Sequence, residues 1–582
     1  MDPGIRKKMN LDKRMTVGMK NGRNTLWNWK LSFLMGLLMG AAAFLTIYGT
    51  KILDVTYDDW LFKGNYDLAQ HYMGWRMFRN SGWNFPLGLC DNMVYPNYAS
   101  IVFTDSLPVF SLIFKLLSPL LPEVFQFFGL YGLFCFMLQG GLAKLLLRRI
   151  FDREWQCNLG CVPFLFSASI LQRMYYHTAL ASHWLILLGM LLFAYRDMIK
   201  SSFRRILLWA LLGMLCVSVH FTIYGMVSVM FLGFVLYEVL AEAEDTKNTL
   251  FTVLKYAVPY FGLSALVFFI YGGLYGDVSG KLHGLGDYSA NLNALFNPFE
   301  YSGLIKELPH GDSQYEGLAY IGVAAIVLMF FALPNMIRRR RFLFNTYRPL
   351  VISLSVTTLM LWFIALSPRI MLGRWEIVDV PWPSFITDPW SIFRSSGRFL
   401  WPVTYSTILI FMYFAKKETK KFFTLLFIAV ILLQLYEYKD KVKEICDDYT
   451  AEKKAEFDAD ILELYDLTGY HHVQFMHPYT KEEYYGEEYY DQMTGYARVA
   501  ADHGMTLSNF HFARDDMEMI KDQIHHCDTL LREGRGEEDT IYVMRRSEFD
   551  ENMLEWAYPG LHYIYTENEV IGTASELPVK QD

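Results

Sequence analysis

Eleven apolar stretches, each long enough to cross or nearly cross a hydrocarbon layer about 30 Å thick, decide what this sequence can become. They fall near residues 31–50, 122–147, 157–174, 179–196, 204–219, 221–240, 251–271, 318–335, 349–366, 399–415 and 421–437. Inside lipid the backbone must satisfy its own hydrogen bonds, so the expected fold is an α-helical polytopic membrane protein of about eleven transmembrane helices. The third and fifth stretches are the most marginal, and losing either inverts the sidedness of everything after it.

Charge sets the orientation. Residues 1–30 carry Arg6, Lys7, Lys8, Lys13, Arg14, Lys20, Arg23 and Lys30 against Asp2 and Asp12, which predicts a cytoplasmic N-terminus. The even connections agree, with Arg148, Arg149 and Arg153, then Lys200, Arg204 and Arg205, then Arg338 to Arg341, then Lys416, Lys417, Lys420 and Lys421. Only the 241–250 connection departs, because Glu242, Glu244 and Asp245 outnumber Lys247. No small-residue cleavage pattern follows the first stretch, so that helix is expected to stay. Loops 51–121, 272–317 and 367–398 then share the extracytoplasmic side.

The remainder is different in kind. From residue 447 onward 31 acidic residues face 11 basic ones, a net of −20, which leaves +13 on the first 446. The chain therefore divides into a basic N-terminus (1–30), a transmembrane domain (31–437) and an acidic extracytoplasmic tail (438–582). Strand-like segments at 473–476, 506–512, 540–544 and 562–566 alternate with helical ones at 488–503, 515–531 and 550–558, which predicts a small α/β domain. It reads as a recognition or covering module. Asp515 and Asp516 open a helix, where capping is the plain role, and His525 and His526 read as surface residues. No glycine-rich phosphate loop occurs, so neither a nucleotide cofactor nor a nucleic-acid partner is expected. The seven cysteines show no zinc spacing and no disulfide framework, with a single Cys446–Cys527 bridge left open.

Chemistry, if present, belongs to the extracytoplasmic loops. Asp67, Gln70 and His71 fall within one helical turn, which presents a carboxylate and an amide together. Asp58 and Asp59 follow the first span, and Asp105 lies in an apolar run where an unpaired carboxylate is costly. Residues 107–121 suit a segment lying along the interface, with Lys115 needing a snorkelling path or a headgroup partner. In the second loop Tyr288, Asn291, Asn293 and Asn297 offer neutral groups for a hydroxyl-rich ligand. Gln314 and Glu316 stand before the eighth span, and Asp287 competes with Glu316 as the second carboxylate. Arg394 and Arg398, four apart, can clamp a lipid phosphate.

These loops carry a resemblance. GNYDLAQHYMGWRMFRNSGWNFPLG (64–88), FTDSLPVFSLIFKLL (103–117), GDYSANLNALFNP (286–298), SQYEGLAYIG (313–322) and FRSSGRFLWPVTY (393–405) make the chain similar to multi-spanning glycosyltransferases with the GT-C fold. More closely, it resembles an uncharacterised bacterial group of DUF6311-type membrane proteins. The match covers roughly residues 31–437. It implies an acidic base in the first outer loop, matched best by Asp67. The Asp-Glu pair of several GT-C families is missing, since Leu68 follows Asp67, and the base stays open between Asp67, Asp59 and Asp105.

The resemblance further implies a polyprenyl-phosphate-linked sugar donor, with Arg394 and Arg398 as phosphate contacts, while Gln70, His71, Tyr288, Asn291, Gln314 and Glu316 are the substrate-binding candidates read from the loops themselves. A divalent cation, Mg or Mn, would fall to Asp67 and Glu316. The expected activity is inverting transfer to a surface glycan, lipid or protein. A glycolipid transporter or flippase, or a non-catalytic envelope-assembly protein, uses the same ingredients.

Overall fold

The computed structural model describes residues 22–62, 66–242, 246–276, 284–451, 455–477, 488–513, 516–548 and 551–580. Most of the basic N-terminus, together with Glu244, Asp245 and Asp515, lies outside the described residues. In chain order the helices are α1 Gly22–Tyr48, α2 Tyr66–Asn80, α3 Pro108–Leu116, α4 Phe128–Leu147, α5 Glu154–Leu165, α6 Ala168–Tyr176, α7 His183–Ala194 and α8 Ser202–Val219. They continue as α9 Phe221–Glu242, α10 Thr246–Ile270, α11 Gly322–Thr346, α12 Arg348–Leu366, α13 Ser384–Ser391, α14 Trp401–Ala415 and α15 Lys420–Thr450. The tail adds α16 Glu488–His503, α17 Met517–Arg532 and α18 Glu551–Ala557.

Among the described residues, eight helices are long and apolar enough to cross a membrane: α1, α4, α8, α9, α10, α11, α12 and α15. The chain is thus a multi-pass membrane protein by helix length and composition. Three of the eleven apolar stretches take another form. Stretch 157–174 breaks between α5 and α6, 179–196 opens on a 3-10 turn at Thr178–Ala181, and 399–415 is entered through a 3-10 turn at Ser396–Leu400. Pro163 sits in the last turn before the first break. Irregular backbone is tolerated at such depth only where protein covers it, and residues 177–183 are all buried.

The basic connections gather at one end of the bundle. Trp29 meets Tyr195 edge-on at 4.9 Å, Arg149 pairs with Asp197 at 3.9 Å, and Lys416 reaches Asp152 at 3.2 Å. At the opposite end Ser100 Oγ donates to the Tyr271 carbonyl at 2.8 Å, and the Gly303 amide donates to the Glu437 carbonyl at 3.0 Å. The 51–126, 271–317 and 367–398 loops therefore meet on one side.

The tightest helix pair is α1 against α4. Gly36 and Gly40 form a G-x-x-x-G stripe that lies on Gly140 and Gly141; a Cβ on Gly40 would stand 2.0 Å from the Phe136 carbonyl oxygen. In α3, the segment expected to lie along the interface, Ile113 and Leu116 are exposed. Lys115 points inward instead, donating to Ser81 Oγ at 2.8 Å and the Gly82 carbonyl at 2.9 Å. The protein, and not a lipid headgroup, supplies its partners.

The tail begins after α15, which runs on to Thr450. Its five strands, β5 His472–Phe475, β6 Thr506–Leu507, β7 Thr540–Arg545, β8 His562–Tyr565 and β9 Glu569–Thr573, form a mixed sheet in the order β6-β5-β7-β9-β8. The strand β9 has no counterpart in the sequence reading. It follows β8 so closely that one hairpin reads as a single segment, yet it is fully buried between β7 and β8. Strand β6 is also shorter than the 506–512 expected.

The sheet packs on a hairpin of β1 Leu89–Val94 and β2 Asn97–Ser100, while β3 Arg369–Leu372 and β4 Trp375–Asp379 make a separate hairpin in the 367–398 loop. The Tyr95 amide donates to the Leu507 carbonyl at 2.8 Å, and its ring stacks on His472 at 4.2 Å. One hydrophobic cluster runs from the bundle into the tail. All seven cysteines are free, Cys446 and Cys527 included.

Candidate functional site

A cavity of about 430 Å³ opens where the loops meet, lined by Asp67, Gln70, Asp105, Tyr288, Glu316, Arg394 and Arg398 together with His177, His220 and His511. Each polar group comes from a helix end or short turn. Asp67 is in the first turn of α2, where the helix dipole favours a carboxylate. Asp105 follows the 3-10 turn Ile101–Thr104 with a left-handed backbone, φ 53°. His177 caps the end of α6, and His220 sits between α8 and α9.

The turn carrying Asp105 is tied to α2. Ser106 Oγ donates to the His71 carbonyl at 2.7 Å and meets Thr104 Oγ1 at the same distance. The approach depends on Gly74, because a Cβ there would lie 2.5 Å from Ser106 Oγ. Asp105 then has His177 Nε2 at 3.4 Å from one oxygen and His220 Nε2 at 3.5 Å from the other. The rings of His71 and His177 are 4.2 Å apart.

Burial opposes ionisation of Asp105, but His220, His177 and His71 outweigh it and hold the carboxyl well below its ordinary range. Burial, reinforced by His177, pushes His71 down to about 3. His71 is therefore a neutral imidazole at physiological pH.

A second group lies across the cavity. Arg173 Nη2 and Arg398 Nε both donate to Glu316 Oε2 at 2.7 Å, with the Arg173 guanidinium over the Trp401 ring. Burial works against the Glu316 charge, but the two arginines hold its carboxyl well below the carboxylate range. Arg398 is shifted the other way: burial disfavours its charge, while Glu316 first, then Asp67 and Asp105, favour it.

Asp67, Gln70, Asp105, Tyr288, Glu316, Arg394 and Arg398 are thus brought together as the sequence suggested, with His71 directly behind Asp105. Four residues have other roles. Asp59 belongs to the turn Asp59–Leu61, apart from the cavity lining. Asn291 bonds Gln314 and both backbone polar groups of Gly373. Gln314 also accepts from the Gly311 amide and donates to Ser289, so both amides staple loops. Gln70 donates to the His511 carbonyl and anchors the tail.

The expected cation site on Asp67 and Glu316 needs correction. Two guanidinium groups already occupy Glu316, and they repel a cation. His71, Asp105 and His177 instead offer ligand atoms all within 4.8 Å of one another, so this trio could hold a metal ion. Both ring nitrogens of His71 and Nδ1 of His177 are buried without a hydrogen-bond partner among the described residues, so their lone pairs are not committed to the protein.

Family models match residues 37–439, described as Domain of unknown function (DUF6311), and residues 464–574, described as the DUF6311 C-terminal domain. The chain belongs to the DUF6311 family. No curated protein matches it. In this DUF6311 protein the cavity lies within the first matched region, except for His511 and Ala513, which the C-terminal domain contributes to its wall.

Sequence reasoning missed His177, His220, Arg173 and His511. The signal available for the first three was position: an ionisable residue in or between apolar stretches is expensive there and marks function or a partner.

Proposed function

We propose that this cavity transfers a sugar from a polyprenyl-phosphate-linked donor to a hydroxyl acceptor on a surface glycan, lipid or protein, in the manner of an inverting GT-C-like glycosyltransferase. One observation carries the reading: Asp67, Arg394 and Arg398 share a single cavity with the apolar side chains Phe221, Phe268, Leu274 and Phe393. Leu274 and Ile392 are also exposed at its rim, which suits a ligand with a prenyl tail and a charged head. The volume fits the range of small-ligand sites. The basic end of the bundle would face the cytoplasm, leaving the cavity and tail on the extracytoplasmic side.

In this reading Asp67 takes the proton of the acceptor hydroxyl as its oxygen attacks the anomeric carbon. The bond from that carbon to the phosphate oxygen breaks, and its electron pair departs on the polyprenyl phosphate. Arg394 and the terminal nitrogens of Arg398 balance the departing charge, since Arg398 has given Nε to Glu316. Asp105, engaged by histidines, is the weaker choice of base. A divalent cation held by His71, Asp105 and His177 would add positive charge beside the phosphate.

The test is turnover of labelled polyprenyl-phosphate sugar by protein reconstituted in liposomes. Asp67→Asn should lower turnover by about 10²- to 10⁴-fold, and Asp59→Asn should leave it unchanged. Passage of the lipid across the bilayer without turnover would replace the reading with transport, and neither activity would favour an assembly role.

A further inference from the structure

We infer that His71, Asp105 and His177 form a binding site for one borderline transition-metal dication of the zinc type. The three residues come from α2, the turn after β2 and the end of α6, and the Ser106 bond to the His71 carbonyl fixes the first two relative to each other. Their ligand atoms span 4.8 Å at most. Bonds of about 2.1 Å put the ligands of one ion roughly 3.4 Å apart. The widest pair therefore closes by little more than an ångström, which side-chain rotation provides.

His71 is fully buried, and neither of its ring nitrogens has a hydrogen-bond partner; His177 Nδ1 is in the same position. Native proteins rarely leave such groups unsatisfied, and an ordered water or an ion commonly supplies the partner.

His220 has a different part. Its Nδ1 accepts the Thr222 amide hydrogen at 3.0 Å, so in the neutral ring the proton is on Nε2, 3.5 Å from Asp105 Oδ1. A protonated nitrogen cannot bind metal. His220 is a positioning residue whose ring flanks the carboxylate from outside the ligand set, the place from which outer-shell groups orient metal-bound carboxylates.

Two imidazoles and one carboxylate favour zinc and its neighbours, whereas magnesium and calcium prefer all-oxygen surroundings. This departs from the Mg or Mn expected from the sequence. Asp105 and His177 both line the cavity, so the remaining coordination positions face it. The nearby Arg398 charge is opposed by Glu316. The proposal stands whether or not the reaction is sugar transfer, because it is read from binding.

The experiment uses the full chain without a polyhistidine tag, stripped with chelator in detergent and titrated with Zn²⁺ or Co²⁺. One ion per chain, a raised melting temperature and visible Co²⁺ bands of four- or five-coordinate geometry are expected, with no competition from millimolar Mg²⁺. His71→Ala and His177→Ala should abolish the bands, His220→Ala should weaken affinity about 10- to 100-fold, and Asp59→Asn, apart from the cavity, should leave it unchanged. Wild-type protein that takes up no ion, or His71→Ala protein with the wild-type Co²⁺ spectrum, would overturn the proposal. Competition by Mg²⁺ would overturn the metal class. The wild-type titration decides even if a histidine variant fails to fold.

Discussion

Arg173 Nη2 lies 2.7 Å from Glu316 Oε2, across 143 positions of sequence, and Arg398 reaches the same oxygen. The carboxylate sits between two buried guanidinium charges beside the cavity. Removing it leaves both uncompensated, so Glu316→Ala should cost about 3–5 kcal/mol. The folded carboxyl titrates well below its ordinary value of 4.5. Its stabilisation is therefore complete above the unfolded value and is lost as pH falls below about 4.5 toward the depressed folded value. Melting temperatures between pH 7 and pH 3 should show this loss in the wild type and a flatter profile in Glu316→Ala.

The α1–α4 contact predicts a sharp difference between two glycines. Gly40→Ala places a Cβ against the Phe136 carbonyl, whereas Gly262 has nothing within 4 Å of its Cβ position. Thermal unfolding in detergent should show a loss of about 1–3 kcal/mol for Gly40→Ala. Gly262→Ala should be neutral or gain about 0.5–1 kcal/mol from the better helix former.

Arg394 and Arg398 line the same cavity but are built in differently. Arg398 holds Glu316, while Arg394 has no hydrogen-bond or ion-pair partner among the described residues. Under the phosphate reading, Arg394→Ala should raise the KM for the lipid donor about tenfold with an unchanged melting temperature. Arg398→Ala should lower both stability and turnover. Donor titrations beside melting curves separate the two.

The tail is held to the loop region partly by Arg76 and Asp502, 2.6 Å apart, and by Asn80 donating to the Ala501 carbonyl at 2.7 Å. Asp502 is 40% exposed, so water screens the pair and it contributes about 1 kcal/mol. Hydrogen exchange should accelerate around residues 501–511 in Arg76→Ala while the bundle keeps its protection. Unchanged exchange there would show that the Tyr95 and Gln70 contacts suffice.

How much of the site was legible depended on the kind of information each residue carries. Asp67, Glu316 and Arg398 stood out because charge beside an apolar span has few ordinary uses. Asp516 was legible as a cap, and its side chain accepts the Met519 amide. Asn291 and Gln314 looked equally suited to a hydroxyl-rich ligand, but a side-chain amide serves a loop as readily as a sugar, and only its partners distinguish the two.

The sequence alone determined the long apolar helices, the gathering of basic residues at alternate connections and the acidic tail, because helix length and local charge act through nearby residues and the solvent they meet. Tertiary structure decided the rest. It broke one apolar stretch and gave two others a 3-10 entry, inserted β9 between two strands, and brought His71, Asp105, His177 and His220 from separate elements to one place. Such a meeting depends on how helices pack, and the energy that fixes it belongs to contacts between distant segments.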